Sequence, residues 1–507
     1  MNSFARSGAG GKRPQAQRLL AACLTAGSLA AASPAAAQAV WQPLPAPAAD
    51  QGQGQSSGTS ATDTATGATV PATGTTAPAT ARKGGQPTEA DAPSDTVTGS
   101  VPASDPEAAD MGRMNLREAP VQYAPERAAS DDAEAPGIRL GTMTLRPSFI
   151  QRLGVESNRT GGDKQQRTFW ESGLKGSLTS DWSRHQLTVT GEGYWQRNLS
   201  GDGATDPRAN IDADLRLDLS DSTTAHLRAG YGFSREDTND PNAISGASVQ
   251  SGIHHFTGGT SVEHDFGRLR GTLGVDVERW LYSDAELSDG TKVSLSERNR
   301  TAGTLRARLG YEISPALIPF VEASIGRVLY DEKTDSAGYA RSADVYAAKA
   351  GITSDFGEKL RGELSLGYRI QDFDDSRLDD IAAVTVDGNI AWSPHRGTDV
   401  DLRLSTTIDP STTAGVSGAV IYALDATVTH QLRSNLVARL SGGTAWTDYP
   451  SDAGVSDSVK YTAGAGLSYS INRYVDLTAD VGYEYTDRRS ATDSETWNAM
   501  VGLTTKR

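Results

Sequence analysis

The chain has 507 residues, 63 acidic and 48 basic, for a net charge of −15. That acidity is not broken by a basic stripe, which argues against nucleic acid as a partner. A single cysteine, Cys23, rules out an intramolecular disulfide and any site built from several thiolates.

The chain opens on a targeting pattern. Arg6, Lys12, Arg13 and Arg18 form a basic region, an apolar run follows from Leu19 to Ala32, and Ala35-Ala36-Ala37 precedes Gln38. This is the layout of a secretory signal peptide over residues 1–37, with an apolar run too short for a comfortable membrane span. Leu20-Ala21-Ala22-Cys23 has the form of a lipoprotein processing box, but only four apolar residues separate Arg18 from Cys23. Cleavage after Ala37 is therefore expected, leaving a mature chain that starts at Gln38 without cysteine. Residues 38–136 are mostly Ala, Thr, Pro, Gly, Ser and Asp, with 13 acids against 5 bases. So few large apolar side chains cannot offset the entropy of ordering, and a disordered periplasmic segment is expected there. Removing the signal's +4 and this segment's −8 from −15 leaves −11 for residues 137–507.

From Gly141 onward one pattern recurs. Ala209, Ile211, Ala213, Leu215, Leu217 and Leu219 alternate with Asn210, Asp212, Asp214, Arg216 and Asp218. Side chains of a strand point to opposite faces with period two, so this strand has one apolar and one charged face. Similar alternation marks Thr224–Ser234, Leu360–Ile370, Asp399–Ile408 and Val475–Thr486. About eighteen such segments fit between Gly141 and Thr505, and no long stretch has helical periodicity.

The connections decide between a soluble sheet and a membrane barrel. Tight ones are expected near Asp181, Ser220, Gly267, Ser314, Gly357, Pro394, Ser434 and Asn472. Longer polar ones alternate with them around Gly161, Gly203, Pro241, Asp289, Asp335, Asp375, Thr412, Asp452 and Ser490. A transmembrane barrel separates short periplasmic turns from longer outer loops in this way, and a sandwich does not. Trp170, Trp195, Trp280, Trp446 and Trp497 fall toward strand ends beside long connections, and Trp182 and Trp392 beside short ones. Amphipathic rings gather at the two bilayer interfaces. The expected fold is all-β: a transmembrane antiparallel barrel of about 18 strands (16–18) over residues 137–507.

The charged faces then line a lumen. Candidate lumen residues are Asp212, Asp214, Arg216, Asp218, Arg228, Arg306, Arg308, Arg361, Glu363, Arg369, Asp399, Asp401, Arg403, Asp476, Asp480 and Glu484. With Asp276, Glu278, Glu312 and Arg270 added, the seven cleanest strands carry twelve acids against eight arginines. Ladders of opposite charge with a small acidic excess are expected. The connection Glu236–Ser251 reads as the longest and as a candidate constriction folded inward.

The stretch Ile138–Thr160 also resembles the opening of the putative β-barrel porin family of proteobacterial outer-membrane proteins. The resemblance rests on Leu145-Arg146-Pro147-Ser148 and on Gly154-Val155-Glu156 before Asn158. The chain departs from the family at Ser157-Asn158-Arg159, and at its end, Leu503-Thr504-Thr505-Lys506-Arg507, where such barrels commonly finish on an aromatic residue. The resemblance implies an outer-membrane barrel from Gly137 to Arg507, with outer-membrane lipid, lipopolysaccharide and the barrel assembly machinery as partners.

Other constellations have blander readings. His254-His255 would point to opposite faces of a strand and reads as a solvated loop edge rather than a metal site. The acids Asp372, Asp374, Asp375, Asp379 and Asp380 lack the glycine and terminal glutamate of a dedicated calcium loop. None of the seven histidines sits in a nucleophile–base motif, so no catalytic residue, metal or cofactor is expected. A diffusion pore, a barrel serving polysaccharide or polymer export, and a non-conducting structural envelope protein all remain open at this point.

Overall fold

The computed structural model describes residues 135–201, 203–237, 242–411, 413–450, 457–489 and 492–507. The expected signal, with Cys23, Ala37 and Gln38, and nearly all of the expected linker lie outside the described residues. The strands, in chain order, begin with β1 (Ile138–Leu140), β2 (Met143–Thr160), β3 (Asp163–Ser180), β4 (His185–Ser200), β5 (Arg208–Ser220) and β6 (Thr223–Arg235). Then come β7 (Ala247–Val249), β8 (Gly252–Asp265), β9 (Leu269–Tyr282), β10 (Ala285–Leu287), β11 (Lys292–Val293), β12 (Arg300–Tyr311), β13 (Leu317–Tyr330) and β14 (Ala343–Asp355). The last eight are β15 (Leu360–Phe373), β16 (Ile381–His395), β17 (Thr398–Pro410), β18 (Gly418–Arg433), β19 (Leu436–Asp448), β20 (Ser458–Asn472), β21 (Val475–Arg488) and β22 (Ser494–Lys506).

Eighteen of these strands pair antiparallel, each with the next along the chain, and β22 closes the ring on β2 with Lys506 opposite Ser148. The nineteenth strand of that sheet, β1, folds back antiparallel along Met143–Leu145 of β2, while β7, β10 and β11 form a separate small sheet from two long connections. Closure gives every strand two neighbours, so lipid meets no open sheet edge along the paired length.

The burial pattern is inverted relative to a soluble protein. Large apolar side chains lie outside, with Leu174 62 % and Leu366 60 % exposed, while Glu171 is fully buried and Arg306, Glu322 and Glu484 are nearly so. Apolar groups belong where lipid will cover them, and charges belong on the inner wall. At a strand spacing of about 4.8 Å and a tilt of about 40°, eighteen strands enclose a backbone diameter of roughly 36 Å. Side chains alone do not fill such a bore.

Connection lengths alternate as expected, with one exception. Eight connections of two to five residues lie on the side of the chain ends, which is the periplasmic side of an outer-membrane barrel. The others lie on the outer side, and the first of these is only Gly161-Gly162, not a long loop. There β2 and β3 themselves run on for 18 residues each, and Gly161 turns the chain at φ 60°. The longest connection is 283–299, one residue longer than 236–251. Trp280 also departs from expectation. It lies on the inner face, where it stacks on His255 at 4.6 Å and sits under the Arg300 guanidinium at 4.5 Å. The other strand tryptophans, Trp170, Trp195, Trp392, Trp446 and Trp497, are on the outer face.

Leu364 locates the membrane midplane on β15, since Leu360 is level with Trp392 of the lower aromatic belt and Tyr368 is as far above Leu364 as Leu360 is below. Leu364→Arg should cost about 2–4 kcal/mol of folding stability, and Leu360→Arg only about 0–1 kcal/mol. Urea unfolding in lipid vesicles checks this, and equal costs at the two positions would contradict the depth assignment.

Candidate functional site

The inner face is fixed by a contact that skips strands. Arg308 of β12 donates to both oxygens of Glu363 on β15 at 2.7 and 3.0 Å, passing over β13 and β14. Only side chains on the concave side of a closed wall converge in this way. Alternation and register then place all the candidates on that face: Asp212, Asp214, Arg216 and Asp218 on β5, Arg228 on β6, Arg306 and Arg308 on β12, and Arg361, Glu363 and Arg369 on β15. Asp399, Asp401 and Arg403 on β17 and Asp476, Asp480 and Glu484 on β21 share it.

Opposite charges on neighbouring strands are joined. Arg308 also holds Glu322 at 2.6 Å, and Arg306 meets Asp276 at 3.3 Å. His226 of β6 lies 3.1 Å from Asp214 of β5, while Arg216 meets Asp218 at 2.9 Å within β5 itself. Lys460 pairs with Glu484 at 3.2 Å and Lys506 with Asp476 at 2.8 Å. Arg403 stands directly across from Asp425. Arg369 is opposite Ala347 and Ala383, and Asp480 is opposite Gly466 and Met500, so their immediate cross-strand partners are uncharged.

The densest cluster lies on strands whose alternation is weak in the sequence. Glu171 of β3 accepts from Arg152 at 3.3 Å, Arg208 at 3.2 Å and Gln196 at 3.1 Å. Two guanidinium groups offset the cost of holding this carboxylate away from water. Arg167 grips Glu156 with two bonds of 3.0 and 2.8 Å, and Arg208 lies 4.2 Å over the Tyr194 ring. Arg152, Lys175, Lys349, Arg439, Lys460 and Lys506 are inner-face cations beyond the seven strands read from the sequence, and Arg208 is one more at the outer end of β5. Glu156, Glu171, Glu192, Glu322, Asp387 and Asp425 share that face, also beyond those seven strands, so the small acidic excess remains.

The outer half of the bore is crossed by chain. Pairing of β16 with β17 runs from His395↔Thr398 only to Gly388↔Leu404. By contrast β15–β16 continues to Gln371↔Ile381, and β17–β18 to Pro410↔Gly418. Above Leu404 the β17–β18 hairpin leans inward. Ile408, Val420 and Tyr422, which by alternation belong to the lipid-facing set, pack instead against Phe373, Ile381 and Ala383 on the inner face of β15 and β16. Val416, Ser417 and Ala419 at the hairpin tip are buried. Arg341 donates to the carbonyls of Val416 and Thr413, both at 2.9 Å.

The connection 236–251 meets this hairpin from the far wall. Asn242 donates to the Pro410 carbonyl at 3.4 Å, although β6 and β17 are eight strands apart in a ring of eighteen. Asp237 lies 3.7 Å from Lys460, again across the bore, and Glu236 is anchored by a buried pair with Arg298 at 2.7 Å. The described parts of this connection, 236–237 and 242–251, thus reach into the bore, and they share the constriction with a hairpin that the sequence does not single out.

The histidine pair and the acidic loop find local partners. His254 and His255 lie within β8 on opposite faces, not on a solvated loop edge, with His254 Nδ1 3.0 Å from the Tyr231 hydroxyl and His255 Nε2 3.0 Å from Glu278. Asp374 pairs with Arg327 at 2.6 Å, and Asp375 with Arg377 at 2.6 Å. Among the described residues no group of three His, Cys, Asp or Glu is placed to hold a metal ion.

The model of the family described as Putative beta-barrel porin 2 matches residues 131–507. The chain belongs to that family. It is a porin-like β-barrel of the bacterial outer membrane. Among solved structures it is similar to OpdO of Pseudomonas aeruginosa, with 12 % identity, TM-score 0.36, and 71 % of this chain and 97 % of that chain covered. OccAB4 of Acinetobacter baumannii matches with 10 % identity and TM-score 0.36 over 72 % of this chain and 98 % of that one. The copper transporter OprC matches with 10 % identity and TM-score 0.39 over 73 % and 81 %. No curated protein matches the chain.

Two loop carboxylates give the outer end of the barrel its pH dependence. Asp375 is held well below the usual carboxylate range by the Arg377 guanidinium and by the amides of Ala340 and Arg377. Burial alone would raise Asp335, but the Tyr339 amide and the Arg341 guanidinium bring it below its ordinary value. A depressed folded-state value contributes stability above the unfolded value of about 4, lost only as pH falls through the folded one. Hydrogen exchange of segments 331–342 and 374–380, corrected for intrinsic rate, should be flat from pH 7 to about 5 and rise only below about 4. Loss of protection between pH 7 and 5 would contradict these assignments.

Proposed function

We propose that this barrel is a channel for passive diffusion of small hydrophilic solutes, with a weak preference for cations. The observation that carries this reading is the inner wall itself, where paired charges face a bore too wide for side chains to fill. Each pair leaves polar edges toward water, which suits hydrated solutes and offers an apolar one little. The acids slightly outnumber the bases, so the preference for cations is small. Export of a polymer would need an unobstructed bore, whereas here the β17–β18 hairpin and the 236–251 connection meet across it.

Purified protein in planar bilayers should give discrete conductance steps, and a salt gradient should produce a small reversal potential of cation-selective sign. An anion-selective sign would refute the charge argument. No steps, either from the natural chain or from a variant with 236–251 and 411–417 cut to short turns, would refute the channel.

A further inference from the structure

The break in the wall between β16 and β17 has an unused continuation. Extending the register of Gly388↔Leu404 sets Asp387 opposite Ser405, Val386 opposite Thr406, Thr385 opposite Thr407 and Val384 opposite Ile408. The two strands are fit to pair along this stretch. Asp387, Thr385, Ser405 and Thr407 would all face the lumen, and Val386, Val384, Thr406 and Ile408 the lipid. In place of that ladder there is a clasp. The Thr406 hydroxyl accepts from the Val386 amide at 2.9 Å and donates to its carbonyl at 3.1 Å, while Asp387 accepts from the Thr406 amide at 3.1 Å.

From these contacts we infer that the upper β17–β18 hairpin is a gate with two seats. In the seat observed it leans into the bore. In the other it swings out with the end of β19, to which β18 stays paired up to Val420↔Asp448, and zips onto β16, completing the wall and removing the hairpin's share of the constriction. The two seats are closely matched. Ile408, Val420 and Tyr422 exchange one apolar surrounding, the Phe373–Ile381–Ala383 patch, for another, the lipid. The clasp bonds at Thr406 and Asp387 are exchanged for ladder bonds, and Ser405, Thr407 and Asp409 face the bore in both seats. The inward seat is favoured at rest, because leaving it exposes the Phe373–Ile381–Ala383 patch to water. Ser417 at the tip reinforces it by donating to the Asp379 carbonyl at 2.5 Å. Bistable packing of this kind turns a small bias into a discrete movement. Because the gate rests on the channel reading, its position has to be measured separately from conductance.

Cysteine pairs in a Cys23→Ser background make both measurements. Thr385→Cys with Thr407→Cys reports the zipped seat, as does Val384→Cys with Ile408→Cys on the lipid face should the first pair fold poorly. Asp379→Cys with Ser417→Cys reports the inward seat. In outer membranes under mild oxidant all pairs should lose free thiol, read by mass after proteolysis. In bilayers the oxidised Thr385/Thr407 chain should conduct several-fold more than the natural chain and the oxidised Asp379/Ser417 chain less, both reversed by reductant. Failure of both zipped-seat pairs to cross-link while Asp379/Ser417 does would overturn the gate, as would cross-linking that leaves conductance steps unchanged. Cross-linking in both seats with no conductance in any state would support the movement and refute the channel beneath it.

Discussion

A peptide group in the hydrocarbon of a bilayer has no water to bond to, so each N–H and C=O must find a partner within the protein. Everything else in this barrel follows from that requirement. It selects a closed antiparallel ring, made when β22 returns to β2, and it keeps the pairing continuous from turn to turn. Because each strand alternates faces, closure also sorts the side chains, with aliphatic residues outward and charged residues inward. The one place where the ladder stops early, above Gly388 and Leu404, is where Thr406 and Asp387 supply side-chain bonds to the strand backbones instead.

Closure has an electrostatic consequence. Eighteen strands bring many charges onto one concave surface, where unpaired like charges would repel and buried ones would be costly. The wall meets this by joining neighbours: Arg308 bridges Glu322 and Glu363, and Glu171 takes two arginines. Arginine suits the task because its planar fork reaches two carboxylates at once. The resulting lattice braces the wall while leaving a hydrated, nearly balanced interior, which is what a weakly selective channel requires.

Much of this was legible in the sequence because period-two alternation is a local signal. Asp212–Asp218, Arg361–Arg369 and Asp476–Glu484 each take one face from the alternation of their own strand, and the register sets these faces on one side of the sheet. The Glu171 cluster was not legible. Polar residues such as Gln151 and Ser157 sit on the outer face of β2, which blurs the alternation there, and partners such as Arg152 and Arg208 are distant in sequence. The inward hairpin was hidden for a different reason. Its alternation is that of an ordinary wall strand. Only the early end of the β16–β17 ladder and the packing of Ile408 and Tyr422 show that its β17 edge has left β16, while β18 stays paired with β19 up to Val420↔Asp448. Trp280 shows that strand-end position alone does not report which face a residue takes.

The central claim is the facing of the strands, and cysteine labelling tests it most directly. In the same Cys23→Ser chain, folded in membranes, cysteines at Ala213, Leu217, Leu364 and Val481 should resist a charged, membrane-impermeant thiol reagent. Those at Asp214, Asp218, Glu363 and Asp480 should react through the aqueous lumen. Equal labelling of the two sets would contradict the barrel and everything built on it.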